Sequence, residues 1–173
     1  LRVRIICIDP GIASTGLVYM DELRVLSAKT VKTAQPKGAG LDALHKRLRT
    51  IEAAMVAWMA DKPRDAVVIE DFVHYGTRNN CFTYKTPYTC GYLDKALDGE
   101  NVVWQDAPTV LSHRSKKSPL RSATRQDAQA MAVKLVRDYD GGHMIADAPK
   151  TTAEHLYSAF LHGLYYLREV GAL

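Results

Sequence analysis

VRIICIDPGIASTGLVYM, Val3 to Met20, is the stretch on which the fold turns. Val3 to Ile8 is a β-branched run closed by Asp9-Pro10-Gly11, and Gly16 to Met20 is a second apolar run, so two strands are joined by a short glycine-containing loop. After a turn at Asp21-Glu22, a third strand is expected from Leu23 to Val31. The period then changes. From Leu41 onward Leu44, Leu48, Ile51, Met55 and Met59 recur at steps of three and four, the core face of an amphipathic helix that ends before Pro63. Ala66 to Ile69 is a short, wholly apolar strand of the kind buried on both faces, and it runs directly into the acidic pair Glu70-Asp71.

A loop rich in glycine, asparagine and aromatics (Phe72 to Asn80) comes next, then a weak helical stretch to about Leu97 and a strand at Asn101 to Gln105. His113 to Arg125 carries Arg114, Lys116, Lys117, Arg121 and Arg125 with no acidic residue, and leads into a helix from about Thr124 to Tyr139, ended by Gly141-Gly142. The last helix, from about Thr151 to Glu169, buries Leu156, Ala159, Phe160, Gly163, Leu164 and Leu167 on one face. The order β-β-β-α-β-α-β-α-α reads as one α/β sheet domain over residues 1–173.

Composition agrees. At 173 residues, with 47% hydrophobic and 24% charged, the chain is long enough to bury a core, which excludes disorder and the disulfide-stapled miniprotein class. A net charge of +4 permits a polyanionic partner without demanding one. Cys7, Cys81 and Cys90 are odd in number and lack CxxC spacing, which argues against structural zinc and fits a reducing, cytoplasmic compartment. Arg2 and Arg4 interrupt the first apolar run, a pattern too short and too charged for a signal peptide, and nothing approaches the ~20 apolar residues of a membrane span.

In α/β sheets reactive groups gather just past the carboxyl ends of strands. Asp9 and Glu70 both occupy that position, and if their strands are neighbours the side chains converge. Two hard oxygen donors at one spot make a Mg²⁺ or Mn²⁺ site, because like charges a few ångströms apart need a cation to coexist. Either residue alone reads more simply as a turn former or a solvated strand end. Asp71 points to the other face by strand alternation, and Asp147, before Pro149's turn, reads as a cap.

Asp9 to Gly16 has the form D-P-G-x-x-x-T-G, and here the sequence resembles the RuvC-like Holliday junction resolvases of the RNase H-like superfamily. IEDFVHYGTRNN (Ile69 to Asn80) is similar to that family's strand-terminal Glu and aromatic loop, and WQDAPTVL (Trp104 to Leu111) to its fifth strand and helix entry. ATRQDAQAMAVKLV (Ala123 to Val136) resembles its basic helix, with Arg125 where a Lys is usual, and EHLYSAFLHGLYYL (Glu154 to Leu167) its closing helix. The likeness runs from about Val3 to Leu167 and is weakest between Arg24 and Asp65.

The resemblance implies an RNase H-like fold, a five-stranded mixed sheet with helices on both faces. It also implies phosphodiester hydrolysis of four-way junctions by two divalent cations, Mg²⁺ or Mn²⁺, in a homodimer whose two sites make paired symmetric nicks. Asp9 would bridge the ions, Glu70 would hold the one nearer the leaving oxygen, and Glu154 with His155 would hold or deprotonate the attacking water. Lys116, Lys117, Arg121 and Arg125 would contact phosphates, and Tyr75, beside Arg78, would stack on bases at the junction centre.

One departure bears on the site. Phage-type relatives carry H-x-x-D-A-x-x-H-A-L on the final helix, and here Ser158 stands where the Asp is expected. Thr151, His155, Ser158 and His162 share a polar stripe that reads as lying opposite the buried face, with Glu154 adjacent. Glu154 either supplies the absent carboxylate or is an ordinary first-turn acid stabilised by the helix dipole, and the sequence leaves both open. His162, further along, reads as a packed or surface histidine. Loss of the Asp also leaves open a junction-binding protein with little or no nuclease activity. A nuclease of the same superfamily acting on flaps or branched DNA is a third reading. An actin-like ATPase, which needs two such domains, is set aside.

Overall fold

The computed structural model describes residues 2–34, 40–71, 85–106 and 133–173. Its strands are β1 (Arg4–Asp9), β2 (Ser14–Asp21), β3 (Arg24–Lys32), β4 (Ala66–Asp71) and β5 (Val102–Asp106). The helices are α1 (Leu41–Met59), α2 (Lys85–Ala96), α3 (His143–Ala146) and α4 (Lys150–Glu169), and residues 133–137 are also helical. The five strands form one mixed sheet in the order β3-β2-β1-β4-β5. β1 to β3 are an antiparallel meander, whereas β4 and β5 run parallel to β1.

α1 forms over the range its periodicity predicts, and Leu44, Leu48, Ile51, Met55 and Met59 are its buried residues. β1 extends one residue past the expected Ile8, because Asp9 still pairs with Gly16. β4 does not stop before the acidic pair either: its ladder with β5 continues through Glu70↔Gln105 to Asp71↔Asp106. β3 starts at Arg24 because Leu23 belongs to the turn, where it is exposed.

Alternation along the central strands divides the core in two. Ile5 and Cys7 of β1 and Ala66 and Val68 of β4 pack with Leu156, Phe160 and Leu164 of α4. Ile6, Ile8, Val67 and Ile69 pack on the other face with Ile51 and Met55 of α1 and Leu93 of α2. Helices therefore cover both faces, as expected for strands buried on both sides. No helix among the described residues is long and apolar enough to cross a membrane.

Glycines let α4 lie close to the sheet. A Cβ on Gly16 of β2 would fall 2.4 Å from the backbone oxygen of His155, and one on Gly163 of α4 would fall 2.6 Å from Cys7 Sγ. The last helix thus rests directly on β1 and β2, which sets the reach of its polar side chains.

Candidate active site

The same alternation that buries Ile5 and Cys7 under α4 turns Asp9 to that face, and it turns Glu70 there after Ala66 and Val68. β1 and β4 pair in register from Ile5↔Ala66 to Ile8↔Ile69, so the next rung sets Asp9 beside Glu70. One strand further, Gln105 pairs with Glu70. Three polar side chains thus form a row across the carboxyl ends of three parallel strands.

α4 meets this row with His155, Ser158 and His162, three residues on one helical face. His155 Nδ1 donates to Asp9 Oδ2 at 2.9 Å, since a carboxylate can only accept. Ser158 Oγ donates to Glu70 Oε2 at 2.6 Å. His162 Nδ1 donates to Gln105 Oε1 at 3.1 Å, and its Nε2 lies 3.5 Å from Glu70 Oε2, a charge contact longer than an ordinary N–H···O bond.

This corrects the sequence reading of α4. The His155-Ser158-His162 stripe does not lie opposite the buried face: it points into the sheet, because Asp9, Glu70 and Gln105 are the partners that make polar groups tolerable there. His162 is packed, with no exposed surface, but it is also a partner of Glu70, which its description as a merely packed or surface histidine missed. Gln105 carries no sequence signal beyond falling on the Glu70 face once β4 and β5 are aligned.

Burial pushes the Asp9 carboxyl above its ordinary range; the His155 hydrogen bond opposes this and the Glu70 charge adds to it. Burial also pushes Glu70 upward, but His162, Ser158 and His155 together outweigh it and hold Glu70 below its usual value. The Asp9 hydrogen bond raises His155 against the effect of burial, and the nearby Glu154 charge adds to the rise.

Glu154 is exposed, one residue before His155 and one turn before Ser158. Asp71, at the end of β4, is exposed, and Asp147 closes α3 with its N–H bonded to the His143 carbonyl oxygen. Tyr75, Arg78, Lys116, Lys117, Arg121 and Arg125 lie outside the described residues.

Among the described residues no group of three or more His, Cys, Asp or Glu side chains is placed to hold a metal ion. The donor chemistry nonetheless fits a hard divalent cation bound with an open coordination sphere. His155 occupies Oδ2 of Asp9, and Ser158 and His162 both address Oε2 of Glu70. None of these contacts takes Oδ1 of Asp9 or Oε1 of Glu70. A cation between the two carboxylates would also relieve the repulsion that helps raise Asp9.

The chain has the fold of RuvC. It superposes on Thermus thermophilus RuvC in complex with a Holliday junction substrate with a TM-score of 0.67 and 24% identity over 96% of each chain. A second T. thermophilus RuvC structure gives the same score and coverage at 22% identity. A Fowlpox virus resolvase in complex with its substrate Holliday junction DNA superposes at 0.51 with 14% identity, over 95% of this chain and 99% of that one. No family model and no curated protein matches the sequence.

Proposed function

We propose that this chain is a divalent-metal-dependent endonuclease that resolves four-way DNA junctions. The observation that carries the reading is the Asp9–Glu70 rung: two carboxylates on adjacent parallel strands, facing the histidines of the last helix, in a chain with the RuvC fold. One of the two RuvC neighbours and the fowlpox resolvase are complexes with Holliday junction DNA, which supports branched DNA as the substrate class.

In this reading Asp9 and Glu70 would hold Mg²⁺ or Mn²⁺, two ions per site, with Asp9 as the ligand common to both. The cations supply Lewis-acid stabilisation of the charge that develops on the phosphodiester oxygens. His155 carries a proton at the edge of the site, where its ring is only partly buried, and its bond to Asp9 keeps it oriented. Glu154, exposed one turn before Ser158, would bring the carboxylate that Ser158 does not. Lys116, Lys117, Arg121 and Arg125 bind flanking phosphates and Tyr75 with Arg78 engages the junction centre. Two chains form a homodimer, because a four-way junction presents two equivalent strands for paired nicks.

The test is cleavage of a labelled four-way junction beside linear duplex and flap substrates, with and without Mg²⁺, by wild type and Asp9→Asn. Symmetric metal-dependent nicks in the junction by wild type, and junction binding without nicking by Asp9→Asn, are expected. Equal cutting of linear duplex would refute the substrate assignment.

The hydrogen bond from Ser158 to Glu70 favours one second reading, a junction-binding protein without nuclease activity, because a donor stands where a third carboxylate would help to bind metal. Tight junction binding by wild type with no metal-dependent nicking would establish it.

A further inference from the structure

Behind the two carboxylates lies a largely buried polar pair. Gln105 is 9% exposed and His162 is 0% exposed. Polar groups this deep are costly unless bonded, so their arrangement requires a compensating role. The amide oxygen of Gln105 can only accept, so the proton of the His162 ring that it meets at 3.1 Å is on Nδ1. That bond selects both the tautomer and the rotation of the ring. His162 Nε2 is then aimed at Glu70 Oε2, 3.5 Å away and beyond hydrogen-bond length, a contact that attracts only when Nε2 carries a proton as well. On the other side of the same oxygen Ser158 donates at 2.6 Å. One oxygen of Glu70 is therefore bonded by Ser158 and faced by His162, and the orientation of that ring is set from β5.

We propose that Gln105 is a positioning residue: by fixing the His162 ring against Oε2 of Glu70 it keeps Oε1 presented for a divalent cation. The inference rests on the metal-dependent reading of the site. It also explains how a chain with Ser158 in place of a carboxylate keeps Glu70 ordered. The partner that orients a metal ligand from behind commonly affects metal affinity about 10- to 100-fold, although it touches no metal.

The experiment is a calorimetric Mn²⁺ titration of the full chain as wild type, Gln105→Leu, His162→Leu and the double variant, with Gln105→Met as a second shape-preserving change. The His162 ring is read in parallel by ¹⁵N-edited NMR. The expected result is a loss of Mn²⁺ affinity of roughly tenfold or more in Gln105→Leu, and no further loss when it is added to His162→Leu, because both act through one contact. The Nδ1 proton signal of His162 should be present in wild type and lost in Gln105→Leu and Gln105→Met. A merely structural residue would lower the melting temperature without moving Mn²⁺ affinity, and that outcome overturns the proposal. So do additive losses in the double variant. If wild type binds no Mn²⁺ and cuts no junction, the metal-dependent reading fails by itself. The ring spectrum then decides whether Gln105 orients His162, and a ring protonated on Nε2 but not on Nδ1 would overturn that as well.

Discussion

Asp9 and His155 are separated by 146 residues along the chain, yet Asp9 Oδ2 and His155 Nδ1 lie 2.9 Å apart. The contact joins the end of the central strand to the last helix and supports the charge of Asp9, which is opposed by burial and by Glu70. Replacing His155 by Ala should destabilise the metal-free protein by about 1–3 kcal/mol, the range for leaving a buried polar group unpaired. Adding Asp9→Asn to that background should recover part of the loss. Urea unfolding of the two single variants and the double variant, in chelator, measures both effects.

The tight seat of α4 gives a second test. A Cβ on Gly16 meets the His155 backbone oxygen at 2.4 Å, and backbone cannot swing aside as a side-chain end can. Gly16→Ala should cost about 1–3 kcal/mol by forcing the helix outward, as overpacking does elsewhere. It should also lengthen the Asp9–His155 contact, so that nicking falls more steeply than stability. Unfolding and junction cleavage on the same preparation check this.

Glu154 is distinguishable from an ordinary surface acid. On the proposed reading, Glu154→Gln lowers the junction nicking rate roughly tenfold or more, in line with the loss of a supporting metal contact, and leaves junction binding intact. Nicking at the wild-type rate by Glu154→Gln would remove this residue from the site.

Much of the scaffold was legible in the chain because it rests on periodicity. The steps from Leu44 to Met59 define α1, and the apolar runs ending at Asp9 and Glu70 place both carboxylates at strand ends. Parity then predicts that they share a face once β1 and β4 are neighbours. The orientation of α4 was not legible in the same way. Period shows that His155, Ser158 and His162 share a face, but not what that face meets, and its partners come from three separate strands. Period alone therefore reads the polar stripe as an outer face, whereas it meets the sheet. Gln105 is silent in the sequence because an uncharged amide in a short strand gives no signal until the ladder with β4 is known.

A pH test lies away from the site. Asp21, 7% exposed, accepts from Arg2 Nε at 2.8 Å and from Arg4 Nε at 3.3 Å. The Arg2 hydrogen bond, helped by Arg4 and opposed by burial, holds its carboxyl below the ordinary value of about 3.9. A carboxyl depressed in the folded state contributes its full stability above the unfolded value, and this is lost as pH falls through the folded one. Unfolding midpoints measured between about pH 2 and pH 5 should thus fall less steeply in Asp21→Asn than in wild type.

The most direct test of the account is Mg²⁺ titration of wild type, Asp9→Asn, Glu70→Gln and the double variant, followed by the rise in melting temperature. If the two carboxylates form one site, wild type is stabilised by Mg²⁺, each single variant loses the response, and the double variant loses nothing more. A full Mg²⁺ response in either single variant would contradict the shared site and the mechanism built on it.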